Sequence, residues 1–182
     1  VGRPVPHLVI ENDFKDEKVS LPVVDVENAT KEELVEALKE AGLVGLGGSG
    51  FPTYVKYQKD AELVLINGCE CAPHLTTDQV VSPTKTDLLV KGIKILMKAA
   101  NAKKAMVAIK KGKPHLHEAL VAAFENEENI EVVEVADVYP VGWERVLIRK
   151  VLRKEYDKLP NEVGVVVNNI QTAIAAADAL LN

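Results

Sequence analysis

The feature that most constrains the fold is a regular alternation, after residue 60, of short apolar runs with segments of helical spacing. The apolar runs have the length of buried strands and cover residues 62–66, 105–109, 130–135 and 163–167. The segments with helical spacing cover residues 82–101, 114–126, 146–154 and 172–181. Because strands and helices alternate with short links, the sequence predicts an α/β, Rossmann-like fold with a mainly parallel sheet and helices on both faces.

The region before residue 60 follows a different pattern. Residues 1–30 contain three prolines and two short apolar stretches, 7–10 and 19–24, which predict an extended N-terminal arm or two short strands. Thr30 and Glu33 then have the spacing of a capping box, in which the hydroxyl and the carboxylate each accept a backbone N–H. We therefore expect a helix over about 31–41.

Composition and charge exclude several classes of protein. With 182 residues, of which 47% are apolar, the chain can bury a core, and we expect a single domain over 1–182. A net charge of −5 and only 4% aromatic residues argue against a nucleic-acid partner. No apolar run is long enough to cross a bilayer, and no secretory signal opens the sequence. We expect a cytoplasmic domain without direct membrane insertion, excised from a longer multidomain protein.

A glycine-dense loop follows the first predicted helix, with four glycines in the six residues from Gly45 to Gly50. Gly45, Gly47 and Gly50 match the spacing of the dinucleotide-binding fingerprint, but that fingerprint requires a preceding strand and here a helix precedes. A Walker phosphate loop is excluded because no Gly-Lys-Ser/Thr sequence follows. Glycines let backbone N–H groups approach a phosphate or a flat ring, and Lys56 can add a positive charge. The loop, including Gly48, therefore predicts a ligand-binding site.

Polar and sulfur-containing residues follow the first predicted strand, at the edge where parallel sheets bind ligands. Asn67 begins this segment, and Glu70 is placed to hydrogen-bond a ring or a ribose. Cys69 and Cys71 could be redox-active, could join a metal site with other ligands, or could be two small buried apolar residues. As the only two cysteines, they cannot form a disulfide framework or supply four thiolates to a cubane iron–sulfur cluster.

Two further loops follow the third and fourth predicted strands. The first contains Glu144 and the single tryptophan, Trp143, which could shield a planar ligand or could pack within its own loop. In the second, Asn169 and Thr172 lie three residues apart at the start of the last predicted helix. This arrangement is typical both of an anion site at a helix N-terminus and of simple capping by asparagine.

Together, segments 45–56, 67–70, 139–144 and 168–172 resemble the flavoprotein family of the NADH-binding subunit of respiratory complex I and the C subunit of the Rnf electron-transport complex. The resemblance covers nearly the whole chain. Its most specific motif is Gly-Gly-x-Gly-Phe-Pro-Thr, which begins at Gly47. Within this family, the chain most resembles the Rnf-C-like proteins associated with clostridial proline reductase.

The resemblance implies FMN bound in a Rossmann-like domain. The family chemistry is NAD(H)-linked hydride transfer to FMN, with electrons passed to iron–sulfur clusters on other domains. The residues that the resemblance assigns to cofactor binding are Gly45, Gly47, Gly48, Gly50, Phe51, Lys56, Asn67, Glu70, Tyr139, Gly142, Glu144, Asn168, Asn169 and Thr172.

The resemblance also implies a role for each group of residues. Lys56 and the first three glycines of the loop would line the flavin and the nicotinamide. Asn67 and Glu70 would approach the isoalloxazine, and Phe51 and Glu144 would lie where NADH stacks and hydrogen-bonds. The paired asparagines and the threonine after the last strand would hold the ribityl phosphate.

Three residues depart from the family pattern. Leu46 replaces an arginine of the complex I flavoproteins, as in Rnf-like members, and Cys69 replaces an aspartate. Ala72 stands where family members usually have a glutamate that helps to hold the nicotinamide nucleotide. FMN binding is therefore better supported than NADH binding, and we expect NADH to bind weakly.

The sequence thus predicts an FMN-dependent electron-transfer domain of an NADH-dehydrogenase-like or Rnf-C-like oxidoreductase. The expected partners are an electron-transfer protein or the subunits of a membrane complex. Two alternatives stay open. One is a non-catalytic adaptor that keeps the fold and docks a reductase partner, and the other is a Cys-x-Cys thiol redox module.

Overall fold

The computed structural model describes residues 4–17, 24–72 and 74–181. The helices in this part of the chain are α1 (Lys31–Glu40), α2 (Thr53–Lys56), α3 (Thr77–Val81), α4 (Thr86–Ala99), α5 (Pro114–Ala123), α6 (Glu144–Leu152) and α7 (Ile170–Leu181). The strands are β1 (Leu63–Gly68), β2 (Lys104–Lys110), β3 (Ile130–Val135) and β4 (Val165–Asn169). Two 3-10 turns, Ser82–Thr84 and Pro160–Val163, precede α4 and β4.

The four strands form one parallel sheet in the order β3-β2-β1-β4, which confirms the predicted α/β fold. Helices α1, α4, α5 and α7 cover one face of this sheet, and α6 covers the other. The chain runs outward from β1 to β3 over the first face, and α6 then returns it over the second face to β4, beside β1. The carboxyl ends of β1 and β4 therefore flank the switch point at which open parallel sheets form a ligand-binding crevice.

Two apolar layers hold the helices against the sheet. Val64 and Ile66 of β1 contribute to the layer beneath α4 and α7, whereas Leu65 contributes to the layer beneath α6, as the alternation of side chains along a strand requires. Helices α4 and α7 pack so closely that a Cβ atom on Gly92 would lie 1.8 Å from the carbonyl oxygen of Ala173. This packing fixes α7, whose first turn follows β4 directly at the crevice.

Several element boundaries differ from the predictions. The helix predicted from residue 82 begins at Thr86, because Ser82–Thr84 forms a 3-10 turn around its proline, and α3 precedes it where no element is predicted. The strand predicted over 163–167 begins two residues later, because Gly164 takes the left-handed conformation with φ 73°. The helix predicted over 114–126 ends at Ala123.

The N-terminal region agrees in part with the predictions. The capping box of Thr30 and Glu33 is present, and α1 covers Lys31–Glu40. Residues 4–17 contain no helix or strand, so the apolar stretch 7–10 forms an exposed arm. The stretch 19–24 lies outside the described residues, apart from its last position. None of the helices in the described segments is both long enough and apolar enough to span a membrane.

Candidate functional site

The glycine loop is a closed turn that is attached to the start of α7. An antiparallel bridge between Val44 and Pro52 and a 2.8 Å hydrogen bond from the Gly45 N–H to the Phe51 carbonyl close its neck. At its tip, the Leu46 N–H donates to Oγ1 of Thr172 at 2.9 Å. Thr172 is fully buried in the first turn of α7. The loop is therefore held at the switch point of the sheet.

The glycines of this loop have two different functions. A Cβ atom on Gly47 would lie 3.2 Å from the Cβ of Asn169, so this glycine lets the loop approach the end of β4. Gly48 and Gly50 have φ angles of 119° and 61°, and a Cβ atom on either would meet no atom within 4 Å in the described part of the chain. These two glycines therefore expose bare backbone to open space, where a ligand can approach the main chain closely.

Lys56 places a positive charge in a cleft beside the glycine loop. The cleft has a volume of about 290 Å³ and is lined in part by Phe51, Lys56, Glu144 and Leu159. The Lys56 ammonium donates to the Val167 carbonyl at 2.7 Å and lies 3.8 Å from a carboxylate oxygen of Glu144. Burial lowers the pKa of Lys56, and Glu144 opposes that shift. The cleft, which is also lined by Val165, Val166 and Val167 of β4, thus joins a cation and an acid.

Glu144 is also held from its other side. The Tyr156 hydroxyl donates to Oε1 of Glu144 at 3.3 Å, and the guanidinium of Arg145 lies 4.3 Å from the centre of the Tyr156 ring. Burial, followed by the charge of Glu144, raises the pKa of Tyr156 to about 12, so its hydroxyl keeps its proton at neutral pH. Sequence reasoning missed Tyr156, because only the folded chain brings it beside the start of α6.

The aromatic residues of the loop before α6 contact each other. The rings of Tyr139 and Trp143 meet edge to face with centroids 5.9 Å apart. Both side chains remain more than half exposed. This contact favours the interpretation that the loop packs on its own aromatic residues over that of a shielded ligand.

Asn67 and Gly142 join the loops that follow β1 and β3. The Asn67 amide donates to the Gly142 carbonyl at 2.8 Å, and its oxygen accepts the Cys69 N–H at 2.9 Å. The Gly142 N–H points to Sγ of Cys71 at 2.9 Å. A Cβ atom on Gly142 would lie 2.1 Å from the Cys69 carbonyl oxygen, so only glycine permits this approach. Both residues therefore shape the edge of the crevice through contacts within the protein.

Of the two cysteines, Cys69 shows the features of packing rather than of thiol chemistry. Cys69 is buried, and its thiol lies 3.3 Å from the Ala108 carbonyl, to which it donates. Burial raises the pKa of Cys69 to about 12, which disfavours the reactive thiolate. Among the described residues, no group of three or more His, Cys, Asp or Glu side chains could hold a metal ion.

Glu70 accepts hydrogen bonds from the start of α3, and this contact places a second acid, Asp78, at the crevice. Asp78 is not among the predicted site residues. Its carboxylate accepts the backbone N–H groups of Asp78 at 2.8 Å and of Gln79 at 3.3 Å. Asp78 is buried, and its Oδ2 accepts the Asn169 amide at 2.9 Å. Burial, together with the charge of Glu70, raises the pKa of Asp78 to about 6. Sequence reasoning missed Asp78 because the five-residue helix that carries it gives no clear periodicity.

The polar residues after β4 are bonded mainly to the protein itself. Asn168 donates to the hydroxyl of Tyr57, while its own Oδ1 is buried without a partner among the described residues. The Asn169 oxygen accepts the Gln171 N–H at 2.8 Å, as expected for simple capping by asparagine. The Thr172 oxygen accepts the Leu46 N–H, which attaches the glycine loop to the first turn of α7.

A parallel α/β domain whose glycine-rich loop lies at the switch point has the architecture of a nucleotide- or flavin-binding domain. Residues 38–178 match the family described as the Nuo51 FMN-binding domain. This match covers more than half of the chain, and the chain therefore belongs to that family. The family predicted from the four motifs is confirmed, whereas the proline-reductase-associated variant stays a prediction.

Known proteins with related sequences belong to ion-translocating complexes. The chain is 38% identical over 181 residues to the C subunit of the proton-translocating ferredoxin:NAD(+) oxidoreductase complex of Clostridium ljungdahlii, and the match covers 95% of this chain and 39% of that protein. It is 36% identical over 184 residues to the C subunit of the ion-translocating oxidoreductase complex of Rhodobacter capsulatus, and here the match covers 96% of this chain and 35% of that protein. The chain thus spans well under half the length of these relatives.

The fold also matches solved structures. In the crystal structure of an NAD+-reducing NiFe hydrogenase in the air-oxidized state, one chain superposes with a TM-score of 0.68 at 27% sequence identity. The match covers 84% of this chain and 30% of that chain. The same type of enzyme in the H2-reduced state gives a TM-score of 0.69.

The residues of the crevice fit FMN on three observations. The bare backbone at Gly48 and Gly50 leaves room for a flat ring or a phosphate. Lys56 supplies a cation beside it. The unpartnered Oδ1 of Asn168 is a buried acceptor that an N–H group could satisfy.

Proposed function

We propose that this domain binds FMN in the crevice between the carboxyl ends of β1 and β4 and serves in NAD(H)-linked electron transfer. The observation that carries the proposal is the geometry of the glycine loop. The bond from Leu46 to Thr172 fixes the loop to α7, while Gly48 and Gly50 face open space. Membership of the FMN-binding family supports the same cofactor.

The residues of the crevice would hold the cofactor in distinct ways. When bound, FMN would accept a hydride and release electrons singly. Lys56 would place a positive charge beside it, and Thr172 would hold the glycine loop against the start of α7, where the phosphate would bind. Phe51, which is 44% exposed at the cleft, would offer a ring for stacking by the nicotinamide. Glu144, positioned between Lys56 and Tyr156, would accept hydrogen bonds from the nucleotide.

The partners of this domain are proposed from its relatives. Those relatives are subunits of ion-translocating complexes, and each is more than twice as long as the part matched here. We propose that electrons pass to iron–sulfur clusters on other domains or on an electron-transfer partner. The domain would then work in the cytoplasm and reach the membrane through the other subunits of a complex.

The nicotinamide nucleotide should bind weakly, because Ala72 offers a methyl group where a carboxylate would bind a ribose hydroxyl. A charge-assisted hydrogen bond is worth about 1.5–3 kcal/mol, or about ten- to a hundredfold in affinity. Ala72 is exposed, so a longer side chain can be accommodated. We expect Ala72→Glu to lower the Kd of NADH by about that factor, measured by half-reduction of FMN-loaded protein at low NADH.

Ala72→Gln is the matched control, since it adds nearly the same atoms without the charge. It should recover much less affinity than the glutamate. Loading with FMN beforehand separates the nucleotide effect from incomplete flavin occupancy. Micromolar NADH affinity in the unaltered domain, or equal gains for glutamate and glutamine, would show that Ala72 does not limit NADH binding.

A further inference from the structure

Asp78 is the one acidic residue that is buried in the described part of the chain, with 5% of its surface exposed. Its Oδ2 accepts a hydrogen bond from the Asn169 amide at 2.9 Å. Its backbone N–H donates to Glu70 at 2.8 Å. Asp78 therefore connects the loop after β1 to the last residue of β4, across the switch point of the sheet.

This contact determines how the Asn169 side chain is oriented. An ionised carboxylate can only accept, so it draws the NH₂ end of the amide toward Asp78. The oxygen end is then free to accept the Gln171 N–H at 2.8 Å, in the first turn of α7. The same NH₂ group lies 3.4 Å from the Asn67 carbonyl at the end of β1. Every polar atom of the amide is thus directed by its neighbours.

The glycine loop rests on the same side chain. A Cβ atom on Gly47 would lie 3.2 Å from the Cβ of Asn169, so the loop and Asn169 are in direct contact. A turned or displaced Asn169 would therefore move the loop backbone as well as the end of β4. Because donor geometry decides the strength of hydrogen bonds, such a movement would weaken ligand binding along the loop.

We propose that Asp78 is a positioning residue of the cofactor site, which acts through Asn169 and is effective in its ionised form. The inference rests on the proposed binding of FMN at this crevice. Asp78 would act without itself contacting the cofactor, since it is buried and bonded to Asn169. It holds the amide that supports the glycine loop and the start of α7.

The charged state of Asp78 links this role to pH. The groups that face it are Glu70 from the loop after β1 and the side chains of Asn169 and Gln171 after β4. The charge of Asp78 in turn raises the pKa of Cys69. Burial and the charge of Glu70 favour the protonated acid, which no longer offers Asn169 an ionised acceptor. FMN affinity should therefore fall as the pH decreases through about 6.

The stability of the fold should change in the opposite direction. The folded chain binds a proton at Asp78 more tightly than the ordinary pKa of 3.8 allows. Stability contributed by this group is therefore lost as the pH rises from 3.8 to about 6. If Asp78 had only a structural role, thermal stability would change with pH but FMN affinity would not. A positioning role instead changes both, in opposite directions.

The test compares FMN affinity and thermal stability of Asp78→Ala and Asp78→Asn with those of the unaltered protein. Above about pH 7, the alanine variant should bind FMN about tenfold more weakly, because an amide partner is removed. The ratio of the Kd values should decrease below about pH 5, because the protonated carboxyl keeps a neutral acceptor oxygen for Asn169 but loses the charge that strengthens the bond. The phosphate of FMN also ionises over this pH range, but it does so equally in both titrations. Its effect on affinity therefore cancels in the ratio of the two Kd values.

Asp137→Asn is the matched control, because Asp137 is an exposed acid that pairs with Lys110 at 2.7 Å near the same edge. It should leave FMN affinity unchanged.

Without any cofactor, the side-chain NH₂ resonances of Asn169 should titrate with a midpoint near 6 and should become insensitive to pH in Asp78→Asn. FMN affinity that is unaffected by Asp78→Ala, or Asn169 resonances that do not titrate, would overturn the inference while leaving FMN binding intact. Absence of FMN binding by the unaltered protein would instead overturn the proposed function together with it.

Discussion

Replacing Gly50 by alanine should weaken FMN binding by at least about tenfold, whereas the same replacement of Gly42 should leave FMN affinity unchanged. The two positions have nearly equal φ angles, 61° and 65°, and a Cβ atom on either meets no described atom within 4 Å. The left-handed conformation costs a residue with a Cβ atom about 1–2 kcal/mol at both sites. Stability should therefore fall equally, and only the Gly50 variant should also lose close approach of the cofactor to the loop.

The measurement is FMN affinity by quenching of flavin fluorescence, with circular dichroism to establish that each variant is folded. Gly48→Val is the harsher form of the test, because φ 119° is strained for any side chain and the valine fills the open space. It should abolish FMN binding. If the Gly42 and Gly50 variants bind FMN equally well, the glycine loop does not belong to the cofactor site.

FMN should bind at least about tenfold more tightly than riboflavin, which lacks the phosphate. A hydrogen bond to a charged group is worth about 1.5–3 kcal/mol, and the start of α7 combines such a donor with the favourable end of a helix dipole. Thr172 is fully buried, so we expect it to act by holding the Leu46 N–H and the glycine loop at this helix start. Thr172→Val should reduce the affinity for FMN more than that for riboflavin.

Riboflavin serves as the control ligand in this comparison, because it carries the same ring system and ribityl chain. Both flavins should lose some affinity in Thr172→Val, since the bond that holds the glycine loop is lost as well. The specific result is a smaller ratio between the two affinities. If the unaltered domain binds both flavins with equal affinity, the phosphate does not bind at the start of α7.

The order of strands and helices can be predicted from sequence because each buried strand is a dense apolar run. The strand predicted over 130–135 also coincides with Ile130–Val135, although Glu131 and Glu134 interrupt its apolar residues, since polar loops stand on both sides of it. Element boundaries that depend on backbone conformation are harder to predict from the sequence. Ser82 and Pro83 suit a 3-10 turn as well as a helix start, and Gly164 delays β4 through its left-handed conformation.

The candidate site can be predicted as a set of loops but not as a network of contacts. The glycine loop is identifiable because its composition alone implies an exposed backbone. Asn67 and Glu70 are expected to face a ligand, yet they bind Gly142 and the start of α3, which are distant in sequence. Asp78 and Tyr156 have no local signal, because their importance arises from partners that only tertiary packing brings close.

Direct titration of the purified domain with FMN tests whether the crevice between β1 and β4 holds this cofactor. We expect saturable binding of one FMN per chain, with quenched flavin fluorescence and loss of that binding in Gly48→Val. Folded protein that leaves flavin fluorescence unchanged at all FMN concentrations would contradict FMN binding. The alternative of an adaptor that keeps the fold and docks a reductase partner would then be favoured.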